Sequence, residues 1–259
     1  MMIRTARIVS AIVCLFLFSS FTLAQAPPPA QAPAPAAPPP PAREYSGSFG
    51  GGMTLTSGNT TTRNYNLAFS HIHERKNGNT DKITALYLRG KQDGELTLSR
   101  ASVVFRDEYK LSSRVFLFGE GVYLSDRFKD ISYYLSPTGG LGYKFVDTDA
   151  TKLQFSGGAG GVWEKNGGVD LRGSGSVSAG QSFSQNIGAN SKFTETIGTI
   201  WNTDDFGDSL TGLSMGLTTS LVKMFNLKIE FLDTYKSKPS NPLIEKNDTS
   251  LVISLLLKY

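Results

Sequence analysis

LVISLLLKY, residues 251–259, is the most apolar stretch of the chain outside its N-terminus, and it ends on an aromatic residue. A short apolar run is either a buried helix or a strand, and the run itself does not separate the two. The alternation of residues favours a strand, because Leu251, Ile253 and Leu255 form an apolar set whereas the other set contains Ser250 and Ser254. This pattern predicts a strand with one wholly apolar face, which meets either a protein core or lipid.

The same two-residue alternation recurs from Tyr45 onward, in segments closed by turn residues. No run of eighteen apolar residues occurs there, which argues against a membrane-spanning helix. The predicted strands lie near 45–56, 61–75, 81–92, 96–110, 114–125, 133–146, 150–163, 169–183, 187–200, 209–222, 225–236 and 248–259. These segments predict an all-β fold, a transmembrane antiparallel up-and-down β-barrel of about 12 strands.

The connections alternate in length, as they do in barrels with short periplasmic turns and longer outer loops. Short ones include SQN at 184–186 and KM at 223–224, and long ones include SDRFKDIS at 125–132 and KSKPSNPLIEKN at 236–247. A soluble sheet of this size would need a second apolar layer, which the chain lacks, so lipid is the expected partner of the apolar faces.

Three details do not fit a simple alternation. The segments 81–92 and 114–125 can be phased either way, so their register stays open. Glu195 falls on an otherwise apolar, outward face.

The N-terminus has the features of a secretory signal peptide over residues 1–24, although retention as an anchor is an alternative. Residues 25–44 hold most of the prolines and predict an extended periplasmic spacer of about 3.1 Å per residue, with possible cell-wall contact. The barrel then covers 45–259. Loss of the signal peptide removes Cys14, the one cysteine, so no disulfide is expected.

The inward-facing positions of the predicted strands include charged residues, which are expected to lie in the lumen. The candidates are Arg100, Arg106, Lys110, Lys144, Lys152, Arg172, Lys192, Lys228, Glu108 and Glu230. If these residues pair across the interior, they plug it; if space remains, the lumen is a narrow pore with slight anion preference, because Arg and Lys rings favour anions. Twelve strands lie between filled and open barrels, so both alternatives stand.

Aromatic residues near the predicted strand ends indicate membrane-interface girdles. The candidates are Trp163, Trp201, Tyr143, Phe145 and Tyr259. The histidines His71 and His73 share the outward face, where an interfacial role is favoured over catalysis or metal binding. No metal site, cofactor or enzyme constellation is predicted, and a charge this close to balance gives no argument for nucleic acid.

The SGNT motif at 57–60, SDRFKDI at 125–131, GGLGYKF at 139–145 and the terminal strand together resemble an uncharacterised bacterial outer-membrane family labelled "salt-induced outer membrane protein", a domain of unknown function. The resemblance covers residues 46–259. It implies a barrel in the outer membrane of a Gram-negative-type bacterium and supplies no catalytic residues. The final strand also looks like the signal by which such barrels reach their assembly machinery.

Two functions follow as hypotheses. The first is a small passive channel for ions or small solutes. The second is a closed structural or stress-response envelope barrel, for osmotic or salt stress, without transport. Small lumen residues favour the first, and paired lumen charges favour the second.

Overall fold

The computed structural model describes residues 44–56 and 62–259. The predicted signal peptide, the predicted spacer up to residue 43 and the 57–60 motif lie outside these described residues. The strands, numbered in chain order, are β1 Tyr45–Thr56, β2 Thr62–Glu74, β3 Thr80–Gln92, β4 Glu95–Lys110, β5 Val115–Asp126, β6 Ile131–Asp147, β7 Thr151–Asn166, β8 Arg172–Ile187, β9 Ser191–Asn202, β10 Ser209–Val222, β11 Phe225–Lys236 and β12 Asn247–Lys258. One 3-10 turn, Arg127–Lys129, precedes β6.

Each strand pairs with its neighbours in antiparallel order, and β1 pairs with β12 to close a barrel. The predicted twelve-stranded all-β barrel is therefore confirmed. The strands are 12 to 17 residues long, which exceeds the roughly 9 to 11 residues that a tilted strand needs to cross a bilayer. Closure removes the free edges that would otherwise pair with other chains. Among the described residues, no helix is long and apolar enough to cross a membrane.

The barrel has two different ends. We call the end that carries Tyr45 and Tyr259 the terminal end; it also carries short turns, such as residues 223–224 between β10 and β11. We call the opposite end the loop end. It carries the longer connections 203–208 and 237–246, together with the 3-10 turn.

The two ambiguous strands now have a defined phase. On β5, Leu117 is 43% exposed on the outside while Phe118 is 6% exposed on the inside. On β3, Thr84 lies opposite Val104 in the ladder, and both residues line the interior. Apolar residues occupy both faces of β5 because its inward side chains pack within the lumen, which explains why the sequence pattern was ambiguous.

The predicted boundary between β8 and β9 is wrong by several residues. The predicted turn at 184–186 belongs to β8, which pairs with β9 as far as Ile187 opposite Ser191. The turn is instead Gly188 to Asn190, where Gly188 has φ of +62°. A left-handed residue is what a tight turn needs, and glycine adopts it without a side-chain penalty.

The seam between β1 and β12 is the shortest ladder in the described barrel. It runs only from Ser48 opposite Lys258 to Gly51 opposite Leu255. The side chain of Asn66 on β2 reaches past β1 and donates to the Ile253 carbonyl at 3.2 Å, and it accepts from Ser254 at 2.7 Å. Glycines on β1 allow β1 and β12 to approach each other closely, because a Cβ at Gly50 would lie 2.0 Å from the Leu255 carbonyl oxygen.

Candidate functional site in the barrel lumen

A cavity of about 400 Å³ occupies the middle of the lumen. One wall is apolar or charged and comes from β3 to β5, including Val104, Phe118 and Val122. The facing wall comes from β8 and β9 and carries small or hydroxyl side chains, such as Ser178 and Thr196. Even-numbered residues supply these positions because strand side chains alternate between the two faces. The cavity therefore has an apolar side and a hydroxyl-rich side.

The charged part of the cavity wall pairs locally, between neighbouring strands. Arg106 donates to Glu108 at 2.8 Å and to Glu120 at 2.8 Å. Lys82 lies 3.4 Å from Glu108, which also accepts from Gln154 at 3.3 Å. Two bases and two acids thus balance at this level of the lumen. Their ion pairs lie along the wall and leave the adjacent cavity open.

Aromatic rings fill the space beside the glycine-rich strands. The Arg106 guanidinium lies 4.1 Å from the centre of the Phe118 ring, a cation–π geometry. A Cβ at Gly142 would lie 2.0 Å from Phe116, and one at Gly158 would lie 2.9 Å from Phe118. The small residues of β6 and β7 therefore accommodate these two rings, and only part of the predicted lumen space stays empty.

At the loop end, ion pairs cross the lumen. Lys129 of the 3-10 turn is 2% exposed, and its ammonium group lies 3.0 Å from Asp248 on β12. It also donates to the carbonyl oxygens of Glu245 and Lys246, at 3.3 and 3.0 Å. The β5–β6 and β11–β12 hairpins are six strands apart in either direction around the barrel. We call this connection between opposite hairpins the cross-lumen latch.

Buried partners hold the latch in place. Asp126 accepts from the backbone N–H groups of Phe128 and Lys129, which caps the 3-10 turn. The same carboxylate accepts from Arg100 at 2.6 Å, and the two side chains are 1% and 5% exposed. Arg100 donates in turn to Thr234 on β11, at 3.1 Å. Because β4 and β11 are not neighbours, this contact crosses the lumen too.

A second bridge and an apolar cluster complete the closure. Lys236 on β11 lies 2.8 Å from Glu164 on β7 and 2.9 Å from Asp208. The same end holds a cluster of buried apolar side chains, namely Leu124, Ile131, Tyr134, Val162 and Leu210, with Ile200 packed against them. The cavity is bounded by Leu124, Ile200 and Leu210. Paired charges and apolar side chains therefore fill the loop end of the lumen.

The loop over the closure, residues 237–246, is fastened to the neighbouring β9–β10 loop and to the opposite β5–β6 hairpin. Lys238 pairs with Asp205, and Ser240 donates to Asp130 at 2.7 Å. The hydrogen bond and charge of Lys238 hold the pKa of the Asp205 carboxyl below its usual range. This pair lies outside the strands and is exposed to water.

The predicted lumen residues divide among three places. Arg106 and Glu108 line the cavity, and Arg100 is buried beneath the latch. Arg172 is exposed at the loop-end margin, where it lies opposite Glu164. The remaining six lie toward the terminal end, namely Lys110, Lys144, Lys152, Lys192, and Lys228 with its neighbour Glu230.

These terminal-end charges differ in their partners. Lys228 lies 2.8 Å from Glu230, and Lys144 lies 3.4 Å from Asp147. Within the described part of the chain, Lys152 and Lys192 form no ion pair. The Lys110 chain packs over the turn, 2.7 Å from where a Cβ at Gly78 would lie.

The predicted interface aromatics lie on the outside of the barrel. Tyr143, Phe145 and Tyr259 are exposed near the terminal end, and Trp163 is exposed near the loop end. Trp201 is half-exposed at the end of β9. Their membrane contact stays a prediction.

The outward polar residues have local partners. His71 lies 3.1 Å from the Tyr259 hydroxyl, and His73 stacks on Tyr45 at 4.3 Å and contacts Asp81 at 3.2 Å. Glu195 accepts from Gln181 at 3.2 Å, which supplies the partner that its outward position needs. The described residues contain no cluster of three acids, histidines or cysteines that could hold a metal ion.

Sequence reasoning missed the residues of the closure, above all Lys129, Asp126, Asp248 and Lys236. Lys129 and Asp126 lie in a segment whose pattern predicts only an outer loop. The one available signal was the DRFKD run itself, in which alternating charges surround an aromatic residue. No sequence pattern indicates that its lysine turns inward.

Comparison with known proteins identifies a family. The family described as "Protein of unknown function, DUF481" matches residues 50–259. No curated protein matches the chain.

Several solved barrels are similar in shape at low sequence identity. The NanC porin shares 12% identity with a TM-score of 0.49, covering 83% of this chain and 100% of its own. The translocator domain of the autotransporter NalP from Neisseria meningitidis shares 12% identity with a TM-score of 0.45, covering 83% and 86%. The KdgM porin shares 10% identity with a TM-score of 0.41, covering 83% and 98%.

Proposed function

We propose, for a chain that belongs to the DUF481 family of proteins of unknown function, that it is an integral outer-membrane barrel and a small passive channel for ions or small solutes. In this proposal, the described conformation corresponds to the closed state of the channel. The observation that carries the proposal is the lumen cavity of about 400 Å³, with ion pairs across the lumen at the loop end. These side chains can move without breaking the hydrogen bonds between the barrel strands.

The outside of the barrel supports the membrane location. Large apolar side chains are exposed on β11 and β12, among them Ile229, Leu251 and Ile253, at 40%, 69% and 54%. Monomeric soluble proteins rarely expose contiguous apolar patches of more than a few hundred Å². In a bilayer the same residues face hydrocarbon, and aromatic residues lie toward both ends of the belt.

Single-channel recording in a planar bilayer tests the channel. We expect rare openings from the wild-type protein and frequent openings from Lys129→Met, which removes the latch charge. Lys165→Met is the matched control, because Lys165 is an exposed lysine on β7 outside the lumen. A folded, heat-modifiable barrel that stays silent in all three forms would contradict the channel.

A second candidate is a closed structural or stress-response barrel for osmotic or salt stress. The buried Arg100–Asp126 pair and the cross-lumen contacts favour it, because they fill the loop end with mutually satisfied charges. This candidate predicts that cells without the protein grow poorly in high salt. It also predicts that a variant with a permanently locked lumen restores growth as well as the wild type does.

The terminal strand supports a proposed contact with the barrel assembly machinery. The proline-rich segment supports a proposed role as a periplasmic tether. Tyr259 exchanges backbone hydrogen bonds with Gly47 beside the short seam, at 3.1 and 3.4 Å. We expect Tyr259→Ala to lower the amount of assembled barrel in cells. Tyr109→Ala, at another exposed terminal-end tyrosine, should change it little.

A further inference from the structure

We infer that the terminal end of the lumen holds a binding site for small oxyanions, of the phosphate or carboxylate class, built on Lys152 and Lys192. The inference rests on the proposed channel and names its solute class. It begins from the position of the two lysines on alternate strands of one wall.

The register directs both side chains inward. Lys152 and Lys192 are the second residues of β7 and β9, and β8 lies between these strands. Lys152 has the same parity as Gln154, and Lys192 has the same parity as Thr196; both of these line the cavity. The ladders of β7 and β9 with β8 contain no register shift, so the parity holds to the strand ends. The two ammonium groups therefore reach the same part of the lumen mouth.

Electrostatics distinguish these lysines from the other lumen bases. Arg106, Lys144 and Lys228 each lie within 3.4 Å of an acid. Lys192 instead experiences repulsion from Lys152 and Lys82, with Glu74 as the opposing acid. Asp147 lies opposite Lys152 in the ladder, but its carboxylate contacts Lys144. Like charges brought together without equal compensation form a place where an anion is attracted.

The surrounding residues favour a small oxyanion over a hydrophobic anion. On β8, Ser184 is the ladder partner of Lys152 and Asn186 is the ladder partner of Lys192. Both β8 residues have inward parity. The Asn186 amide nitrogen donates one hydrogen bond to the Asp149 carbonyl oxygen, at 2.8 Å. Its second hydrogen and the Ser184 hydroxyl add hydrogen-bond donors to the two ammonium charges, which suits the several acceptor oxygens of phosphate or a carboxylate. The cavity of about 400 Å³ beyond the site limits the solute to a small molecule.

The two ends of the lumen differ in how their basic residues are paired with acids. At the loop end, Arg100, Lys129 and Lys236 are each paired with acids. The buried bases of the loop end are therefore compensated, whereas Lys152 and Lys192 offer an anion positive charge that no acid pairs at the terminal end of the described lumen. A solute would bind there first, next to the cavity, before any movement of the latch.

Lysine labelling tests the site without requiring conduction. The folded protein is treated with an amine-selective reagent in increasing inorganic phosphate at constant ionic strength, and modification of each lysine is followed by mass spectrometry. At phosphate tenfold above its dissociation constant, we expect labelling of Lys152 and Lys192 to slow about tenfold, as mass action requires. Lys165 and Lys223 are internal controls and should label at an unchanged rate.

A second arm uses permeation. In the Lys129→Met background, Lys152→Gln/Lys192→Gln should shift the reversal potential in a salt gradient away from anion preference. Lys165→Gln/Lys223→Gln removes the same charge elsewhere and should leave it unchanged. Phosphate that protects neither lysine would overturn the site, even if the channel conducts. Protection in a barrel that never conducts would support the site and overturn the channel.

Discussion

At the scale of single residues, the glycines of this barrel differ in what a side chain at each position would meet. A Cβ at Gly50 would collide with the backbone of β12, whereas a Cβ at Gly119 would meet nothing within 4 Å. Both residues lie in strands and neither has a positive φ. Glycine is therefore required at Gly50, where β1 and β12 approach each other closely. No steric contact requires it at Gly119, on the outside of β5.

This contrast gives a matched pair of substitutions. We expect Gly50→Ala to lower the free energy of unfolding by about 1 to 3 kcal/mol, because the backbone must shift to admit the methyl group. Gly119→Ala should be neutral or stabilising by up to about 1 kcal/mol, since alanine loses less entropy on folding. Urea unfolding in lipid vesicles measures both. Equal losses would mean that the seam geometry is not the cause.

The Asp205–Lys238 pair predicts a pH dependence at one loop contact. Because the pKa of Asp205 is lowered in the folded barrel, the pair contributes stability above the usual aspartate range. That contribution is lost as pH falls through the lowered pKa. Carboxyl NMR shifts should show Asp205 titrating below the usual aspartate range in the wild type. In Lys238→Met the pKa should return toward that range; an unchanged titration would exclude the pair as its cause.

At the scale of elements, the 3-10 turn connects strand register to lumen closure. Its cap, Asp126, is also the partner of Arg100, so one carboxylate orders the turn and neutralises a buried charge. The turn then directs Lys129 to the opposite hairpin. Neighbouring ladders alone would not produce this contact.

Removing the carboxylate should therefore be costly. We expect Asp126→Ala to lower the free energy of unfolding by about 3 to 5 kcal/mol, because it leaves Arg100 buried without its main partner. The double variant Arg100→Met/Asp126→Leu should recover most of this loss, since it removes both charges. Unfolding in lipid vesicles measures the two variants against wild type. If the double variant were as unstable as the single one, the cap would be the larger contribution.

Strand existence was predictable from sequence, whereas strand ends and cross-lumen contacts were not. Alternation over a dozen residues determines a strand and its face, as in β12, and this repeats around the barrel. The β8–β9 boundary was misplaced because Ser184 and Asn186 suit a turn as well as a lumen-facing strand. Lys129 was missed because its partners lie on the opposite hairpin, and no local period reports contacts of that kind.

At the scale of the whole molecule, the closed sheet has one outer face and one face toward the lumen. Outward residues such as Ile229 form an apolar belt, while inward Thr196 is exposed to the lumen cavity. The same charge should therefore have different effects on the two faces. This difference between the two faces is a property of the closed sheet and not of any single strand.

A pair of lysine substitutions checks this asymmetry. In lipid vesicles, Ile229→Lys should lower the free energy of unfolding by about 2 to 4 kcal/mol, the cost of a cation near the bilayer centre. Thr196→Lys should change it little, because its side chain remains in the hydrated lumen. Similar losses at both positions would contradict the membrane belt.

The latch also bears on the order of events during biogenesis. Lys129 and the carbonyl of Lys246 are 117 residues apart in the chain, and Asp248 belongs to the last strand. The bridge therefore cannot form until the final hairpin has arrived and the sheet has curved through a full circle. Any earlier species, however much of its sheet is built, has an unsealed interior. A sealed lumen is thus a sign of complete assembly, and in the proposed outer-membrane location a copy that stalls one hairpin short should leak transiently.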